Sequence, residues 1–285
     1  CVLQGGGAFD REPLTDRIVL CDARTGRVIR RWSDSGRPSN GFEELAFSND
    51  GRLLASSDGN VVHLWEVLTG KELRTFHGHR GEIRSLAFSA NGRRLASASN
   101  DSTVVIWDLV PARDAKAKGI AGWWDDLASE DARRAYAAVW RLAESAEEAV
   151  PFLRRHLRPI AEPDAKRIRR LIDDLDSSDF AAREKASAEL AKLGELVAPA
   201  LRAALADKPS LEVARRAEEL LQKLEGPVRA PNTLRALRAV EVLEYIATSE
   251  AQQILKALAQ GAPAARLTEE AKAALARRAK QNAGE

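Results

Sequence analysis

Three side chains in the first half of the chain are of the types that hydrolases use for nucleophilic attack. Ser97, His79 and Asp101 supply a hydroxyl, an imidazole and a carboxylate. Such a triad needs an exposed serine, a base within hydrogen-bonding reach and a carboxylate that orients the base. The sequence around Ser97 has no sharp nucleophile turn and no evident oxyanion site, and it predicts a strand. We therefore expect Ser97 to be buried and hydrogen-bonded, not reactive.

Other catalytic and ligand-binding signatures are missing from the sequence. It has no glycine-rich phosphate loop, no paired-carboxylate site and no metal-ligand spacing. Cys1 and Cys21 do not support a disulfide framework. His63 and His77 stand singly on predicted strands and are interpreted as solvated or edge residues, and His156 as part of a helix-end cluster. The sequence predicts a chain that is not an enzyme and has no catalytic residue, cofactor, metal or small-molecule substrate.

The charges are balanced along the whole chain. The 285 residues are 45% hydrophobic with a formal net charge of +2, and residues 1–110 hold 14 basic and 14 acidic side chains. Nucleic-acid and membrane-surface binders carry an excess of positive charge, so neither class is favoured. No apolar run reaches the roughly 18 residues of a membrane helix, and no signal peptide is recognisable. We expect no membrane association and, by default, a reducing, cytoplasmic location.

Two segments of the first half repeat one another at a shift of 41 residues. The sequence Leu-Ala-Phe-Ser at 45–48 recurs at 86–89, and Gly51 corresponds to Gly92. A period near forty with short β runs between turns is typical of one propeller blade. Apolar and polar residues alternate at strand spacing within each copy. The predicted strands include 72–76, 83–89, 94–99 and 103–109, with an older trace of the repeat at 18–32.

These motifs resemble the WD-repeat (WD40) β-propeller family over about residues 15–110. The matching set is Gly78-His79, the Leu-Ala-Phe-Ser strand, and Asp101 six residues before Trp107-Asp108. In that family a His, a strand Ser, a turn Asp and a Trp form a buried hydrogen-bond chain that fixes each blade. The resemblance implies this structural role for His79, Ser97, Asp101 and Trp107.

The upstream copy departs from the family pattern. It has Asn40-Gly41 near the position of the Gly-His pair and a shorter turn at Asp58-Gly59. We therefore expect its hydrogen-bond chain to be incomplete and Trp65 to contribute packing alone.

The number of blades is too small for a closed ring. Propellers usually close with four to eight four-stranded blades, whereas the sequence supplies two nearly complete blades and part of a third. In WD-repeat propellers the first strand of the chain usually completes the last blade, and no fourth strand follows Leu109 here. Together with a start at Cys1, this favours the C-terminal fragment of a longer protein.

From Pro111 onward the pattern changes to that of helices. Ile168, Leu171, Ile172 and Leu175 form one apolar helical stripe. Ser145 with Glu148 predicts a capping box, Ser210 an N-cap and Gly194 a C-terminal cap. Nine helices are predicted, near 129–143, 146–157, 164–175, 180–193, 196–206, 211–224, 233–247, 249–259 and 268–280.

The helical half carries a weaker repeat. Leu190 to Gly194 followed by Val197 to Leu201 predicts a helix, a tight corner and a second helix. This arrangement is similar to HEAT-type α-solenoids, in which stacked helix pairs contact only their neighbours. A compact helical bundle is the alternative.

The predicted fold is therefore multidomain, all-β followed by all-α. Residues 1–112 form a partial WD40 propeller, 113–128 a linker and aromatic junction, and 129–285 a HEAT-like solenoid or bundle. The combination resembles large bacterial WD40 propeller proteins with HEAT-like helical tails. That likeness implies a non-catalytic scaffold that binds other proteins through its propeller and helical surfaces, with the partner unspecified.

Two alternatives stay open. In one, the chain is the sensor or docking tail of a larger signalling or regulatory protein whose catalytic domain lies N-terminal to Cys1. In the other, the helical half binds nucleic acid. Its basic candidates are Arg154, Arg155, Arg158, Arg215-Arg216 and Arg277-Arg278.

The aromatic junction gives a first testable prediction. Trp123, Trp124, Tyr136 and Trp140 form an aromatic group at the join. This group is expected either to fill the core of the first helix pair or to lie as a lid on the last blade and lock the domains together. If it forms the lid, replacing Trp123 and Trp124 with alanine will loosen the docking and increase protease cleavage within residues 111–128. Unchanged cleavage of this segment would count against the lid.

Overall fold

The structure, a computed structural model, describes residues 2–4, 17–23, 26, 28–33, 42–112, 118–224, 228 and 230–283. The chain forms two compact units. One comprises Cys1–Arg141 with Pro227–Leu234, and the other Leu142–Gly226 with Arg235–Glu285. The domain boundaries predicted at residues 112 and 128 follow composition instead of packing, and they stay predictions.

Antiparallel sheets form the N-terminal part of the first unit. Its described residues form the strands β1 (Val2–Gln4), β2 (Arg17–Cys21), β3 (Val28–Ser33), β4 (Phe42–Phe47), β5 (Leu53–Asp58), β6 (Val61–Glu66), β7 (Lys71–His77), β8 (Ile83–Phe88), β9 (Arg94–Ser99) and β10 (Val104–Asp108). Three sheets result, with strand orders β1-β2-β3, β4-β5-β6-β7 and β10-β9-β8. These sheets confirm the predicted β-blades, and β7 to β10 lie where the sequence predicted strands.

The repeated Leu-Ala-Phe-Ser motif closes the same turn in two sheets. Ser48 Oγ accepts a hydrogen bond from Leu53 N at 2.9 Å, and Ser89 Oγ accepts one from Arg94 N at 3.0 Å. Each turn also needs one residue in the left-handed backbone conformation, which glycine adopts at low cost. Gly51 supplies it with φ of +72°. The matched serines and glycines of the two copies are thus explained by one turn geometry.

Neighbouring sheets are joined near their inner strands, where β4 contacts β8. Ile83 N donates to Gly59 O at 2.8 Å, and Asn60 Nδ2 donates to His79 O at 2.8 Å. One side chain of the first sheet, Ile18, packs with Leu54 of the second. The apolar faces of adjacent blades therefore cover one another.

Arginines make a second kind of joint between sheets. Arg30 on β3 donates from Nη2 to Leu68 O at 2.8 Å, in the β6–β7 turn of the next sheet. Arg74 on β7 donates from Nη1 to Asp108 O at 2.9 Å, at the end of β10. Burial lowers the pKa of the Arg30 guanidinium, while the charge of Glu66 opposes that shift. The joint is thus made twice, by arginines 44 positions apart.

Two helices follow the sheets in the first unit. They are α1 (Gly119–Asp126) and α2 (Ala132–Glu144), whose last three residues fall in the second unit. Part of the segment 113–128, predicted as a linker and aromatic junction, is helical, since α1 begins at Gly119. The sequence suggested a linker because α1 is short and its first turn lacks an acidic residue. Contacts that form only on folding hold it in place.

A carboxylate between two cations fastens α1 to α2. Asp126, 5% exposed, accepts from Lys118 Nζ at 2.9 Å and from Arg134 Nε at 2.6 Å. Burial raises the pKa of the Asp126 carboxyl, but the hydrogen bonds from Arg134 and Lys118 outweigh burial, so the pKa lies below its usual value. This clamp makes the two helices one hairpin.

The regular secondary structure of the second unit consists of helices in its described residues. Its further helices are α3 (Ala146–His156), α4 (Ala165–Asp174), α5 (Phe180–Leu193), α6 (Ala198–Ala206), α7 (Leu211–Leu224), α8 (Pro231–Ile246), α9 (Ser249–Leu258) and α10 (Arg266–Ala283). Together with α2 they confirm the nine predicted helices. Ser210 and Gly194 cap α7 and α5 as predicted. The capping box is wrong, since the Ser145 side chain makes no capping hydrogen bond.

Helices α4 to α7 form two layers of two helices. Helix α4 contacts α5 and α6, and α7 contacts α5 and α6. Between the pairs, Gly194 ends α5 with φ of +62° and a 3-10 turn (Gly194–Val197) leads into α6. Apolar side chains fill the space between the layers, among them Ile168, Leu175, Leu190 and Leu201. The predicted stripe of α4 faces this core.

Within the described ranges, no helix combines the length and apolar character needed to cross a membrane.

The Asp126 clamp yields a pH-dependent prediction. We expect Asp126→Asn to lose about 1–3 kcal/mol of unfolding free energy at pH 7, because charged hydrogen bonds become neutral ones. The folded pKa lies below the unfolded value of about 4. The contribution is therefore complete above pH ~4 and is lost as the pH falls through the folded pKa.

Urea unfolding of the full chain, followed by circular dichroism at pH 7 and pH 3, measures this effect. Glu218→Gln is the matched control, because that side chain on α7 is exposed and has no ion pair with any residue that the structure describes. Equal stability of Asp126→Asn and the control at pH 7 would contradict the clamp.

Candidate functional site

The four side chains predicted to fix the last blade lie in one hydrogen-bonded chain. Ser97 Oγ accepts from Trp107 Nε1 at 2.8 Å and lies 2.7 Å from His79 Nε2. On the other side of the ring, His79 Nδ1 lies 3.2 Å from Asp101 Oδ2. The network assigns the tautomer: the Ser97 hydroxyl donates to Nε2, and Nδ1–H donates to the carboxylate. The structure thus brings all four predicted residues together.

Asp101 anchors this chain to the backbone. Its Oδ1 accepts from Thr103 N at 2.9 Å and from Thr103 Oγ1 at 2.5 Å, and its Oδ2 accepts from Arg80 N at 2.8 Å. The Thr103 hydroxyl, followed by the Arg80 amide, holds the pKa of the Asp101 carboxyl far below its usual range. Asp101 is therefore ionised and its acceptor positions are occupied.

Two glycines let the β7–β8 loop approach the chain closely. A Cβ atom on Gly78 would lie 2.9 Å from Trp107 Cη2, and one on Gly81 would lie 2.8 Å from Asp101 N. Real Cβ contacts are longer, so larger residues would push the loop away. The edge-to-face contact of His79 with Trp107, at 6.3 Å between ring centroids, depends on this approach.

The geometry has the hydrogen-bond order of a hydrolase triad but lacks access. Ser97 is only 1% exposed and His79 only 4%. One lone pair of the Ser97 oxygen accepts the hydrogen bond from the Trp107 N–H. Ser97 would have to give up this hydrogen bond in order to attack a carbonyl as a nucleophile. Buried polar groups that satisfy one another specify a fold. We retain the structural role of the four residues as a prediction, tested below.

The upstream blade contains the same serine–tryptophan pair. Trp65 Nε1 donates to Ser56 Oγ at 2.9 Å, and Ser56 is fully buried. The expectation that Trp65 contributes packing alone is therefore wrong. The shift of 41 residues places Ser56 at the position of Ser97, so the sequence held the signal. The predicted departure at Asn40-Gly41 lies outside the described residues.

His63 belongs to the same blade, and the interpretation of it as an isolated residue is also wrong. Its ring stacks on Trp65 with centroids 5.8 Å apart, and Nδ1 lies 2.7 Å from Glu72 Oε1. Glu72 also accepts from Thr75 Oγ1 at 2.7 Å. Burial raises the pKa of the Glu72 carboxyl, but Thr75, His63 and Arg133 together lower it below its usual value.

The α1–α2 hairpin lies against the turns at one end of the sheets. Lys71 Nζ donates to Glu130 O at 2.6 Å. The Arg93 guanidinium lies 5.3 Å from the Trp140 ring, and Arg141 Nη2 donates to Pro111 O at 3.2 Å. No feature of the sequence beyond the aromatic group indicated these contacts.

The aromatic group is spread over this hairpin. Tyr136 and Trp140 are buried in an edge-to-face contact, whereas Trp123 and Trp124 on α1 are partly buried. Their role as an interdomain lock stays a prediction.

No metal site is formed in the part of the chain that the structure describes. No group of three His, Cys, Asp or Glu side chains there is placed to hold a metal ion.

Comparison with known proteins identifies the repeats. A family model described as "WD domain, G-beta repeat" matches residues 39–66 and 70–108. These two segments are WD40 repeats, which confirms the family resemblance of the blades. The bacterial origin, the fragment interpretation and the HEAT-like character of the tail stay predictions.

Individual relatives match about a third of this chain. "Cilia- and flagella-associated protein 57" of Mus musculus is 38% identical over 97 residues, which is 32% of this chain and 8% of that protein. "Target of rapamycin complex subunit wat1" of Schizosaccharomyces pombe is 36% identical over 107 residues, 34% of each chain. Among solved structures, "Crystal structure of RRP9 WD40 repeats" covers 33% of this chain and 29% of that one at 30% identity and a TM-score of 0.30. This chain therefore spans only 8% and 34% of the length of these two curated relatives.

Serine substitutions test the role of the two hydrogen-bonded pairs. Ser97→Ala removes two hydrogen bonds, those of the Ser97 hydroxyl with Trp107 Nε1–H and with His79 Nε2. Ser56→Ala removes one, that of the Ser56 hydroxyl with Trp65 Nε1–H. A buried unsatisfied group costs about 1–3 kcal/mol. We expect losses of unfolding free energy of about 2–4 kcal/mol for Ser97→Ala and about 1–3 kcal/mol for Ser56→Ala.

Urea unfolding followed by tryptophan fluorescence measures both losses. Ser85→Ala is the matched control on β8, because Ser85 is exposed and its side chain forms no hydrogen bond within the described ranges. Its expected effect is within about 0.5 kcal/mol. If Ser97→Ala were as stable as Ser85→Ala, the structural role of the chain would be refuted.

Proposed function

We propose that this protein is a non-catalytic scaffold that binds other proteins through its WD40 blades and its helical surfaces. The observation that carries the proposal is the closed polar chain of the last blade. Ser97, the one candidate nucleophile raised by the sequence, is 1% exposed and already bonded to Trp107 and His79. Because these polar side chains bond to one another inside the blade, the exposed strands and loops of the blade are the parts that we propose bind partners.

The helical unit supports the same function. Helices α4 to α7 form two stacked pairs, each in contact with the next. We propose that they belong to a HEAT-like solenoid, because such repeats present wide surfaces while each pair contacts only its neighbours.

A relative also supports protein partners. The fission-yeast protein similar to the repeats is a complex subunit by its name. We extend this to the present chain as a subunit or docking tail of a larger assembly. The cytoplasmic location expected from the sequence stays a prediction.

Nucleic-acid binding by the helical unit has less support. Arg216 pairs with Glu184 at 2.8 Å and with Glu212 at 2.6 Å, and Arg277 pairs with Glu244 at 2.9 Å. Guanidinium groups neutralised by carboxylates contribute little to phosphate binding. Of the basic candidates, Arg154, Arg155 and Arg158 are exposed at the end of α3.

The absence of serine-hydrolase chemistry is tested with a fluorophosphonate probe on the full chain. We expect no labelling above that of Ser97→Ala, with a known serine hydrolase as positive control. Labelling of the wild type that disappears in Ser97→Ala would establish a reactive serine and contradict the proposal.

The scaffold function is tested by quantitative affinity capture from cells of the source organism. Wild type and Ser85→Ala should retain the same partner proteins in near-stoichiometric amounts, and the Ser56→Ala/Ser97→Ala double variant should lose those bound to the blades. Absence of any reproducible partner would contradict the proposal.

A further inference from the structure

Two large apolar side chains are exposed on the helical unit. Phe180 is 64% exposed and Leu211 87%. Each is the first residue of its helix, directly after the residue that caps it. Asp179 Oδ1 accepts from Ala181 N at 3.0 Å, and Ser210 Oγ accepts from Val213 N at 3.3 Å. Because these caps start the helices, neither apolar side chain is required for helix formation.

The structure brings the two side chains to the same end of the layer that α5 and α7 form. Helix α5 contacts α7. The turn before α5 is tied to the turn before α7, since Ser210 Oγ donates to Asp176 Oδ1 at 2.6 Å. Arg183 Nε lies 3.7 Å from Glu212 Oε1 and extends this link into the first turns. Phe180 and Leu211 with their two turns, residues 173–180 and 207–211, are called the apolar tip.

Phe180 is held in place although it is exposed. The Arg183 guanidinium lies 5.7 Å from the Phe180 ring centroid, and Arg183 Nη1 donates to Ser177 O at 2.6 Å. An anchor restrained before binding loses less conformational freedom when a partner arrives. Exposed aromatic anchors of this kind are enriched in binding sites.

The charges around the tip are strongly one-sided. The two turns contain five aspartates and one lysine, a net charge of −4. Asp173, Asp174 and Asp207 are exposed and have no ion pair within the described ranges. Asp173 and Asp174 also lie in the last turn of α4, where the helix dipole disfavours carboxylates. Helix stability therefore does not account for these two side chains.

We infer that the apolar tip binds a basic polypeptide segment that places an apolar side chain against Phe180 and Leu211. Lysines or arginines flanking that side chain would face the free aspartates, which makes the partner complementary in both shape and charge. A nucleic acid is disfavoured, because its phosphates would meet five carboxylates. This inference rests on the proposed scaffold function and specifies one of its surfaces.

The test uses the full chain and three fluorescein-labelled peptides. The probe is a twelve-residue amphipathic peptide of lysine and leucine; its controls replace all leucines with glutamine or all lysines with glutamate. Fluorescence anisotropy should detect binding of the probe alone, with an affinity that falls as salt increases.

Two sets of variants assign the binding to the tip. Phe180→Gln/Leu211→Gln should weaken probe binding at least tenfold. Asp173→Asn/Asp174→Asn/Asp207→Asn should weaken it and reduce its salt dependence. Ile106→Gln, at a 63% exposed apolar position of β10, and Glu218→Gln are the matched controls and should change nothing. All the substituted side chains are exposed, so unchanged circular dichroism melting curves verify folding.

Three outcomes would overturn the inference: no salt-dependent binding of the probe by the wild type, equal binding by folded tip variants and wild type, or equal loss in the controls. Sedimentation velocity adds a fourth: self-association of the wild type, abolished in tip variants that bind no probe, would replace the basic segment with a second copy. If the probe-binding results refute the tip while affinity capture still recovers partners, the scaffold function stands and only the tip is ruled out as a binding site.

Discussion

A blade of this protein depends on its neighbours because a single twisted sheet has two apolar faces and nothing of its own to cover them. The contacts that supply the cover are few and specific. Inner strands lie side by side, and turns donate to the main chain of the next sheet, as Asn60 does to His79 O. The buried Ser97 then lets the Trp107 ring pack without stranding its N–H. In the β unit, stable packing between blades therefore requires that the buried polar groups are hydrogen-bonded to one another.

The two units use their polar groups differently. In the β unit the Ser, His, Asp and Trp side chains of the last blade bond to each other. In the helical unit, ion pairs link neighbouring helices, and some of their charged groups are buried: Arg216, 8% exposed, pairs with Glu184 at 2.8 Å.

The repeat made the blades predictable, because a 41-residue shift carries strands, turns and the Ser–Trp pair together. The error at Trp65 came from judging the upstream blade by its missing Gly-His pair, although Ser56 stood at the matching position. Helix α1 was missed since eight residues offer little periodicity and its anchors are tertiary. The capping box at Ser145 has the right residue types, but local geometry decided against it. Exposure of Phe180 is equally invisible to pattern analysis, which detects helix starts and not their surroundings.

Main-chain acceptors give the arginine joints an evolutionary consequence. Arg30 and Arg74 donate to carbonyl oxygens of the following blade, which every amino acid possesses. The receiving blade can therefore diverge in sequence without losing the bond, provided that its turn keeps its shape. Only the donor side of each arginine joint requires a particular residue, so neighbouring blades can differ in sequence while the joint between them is kept.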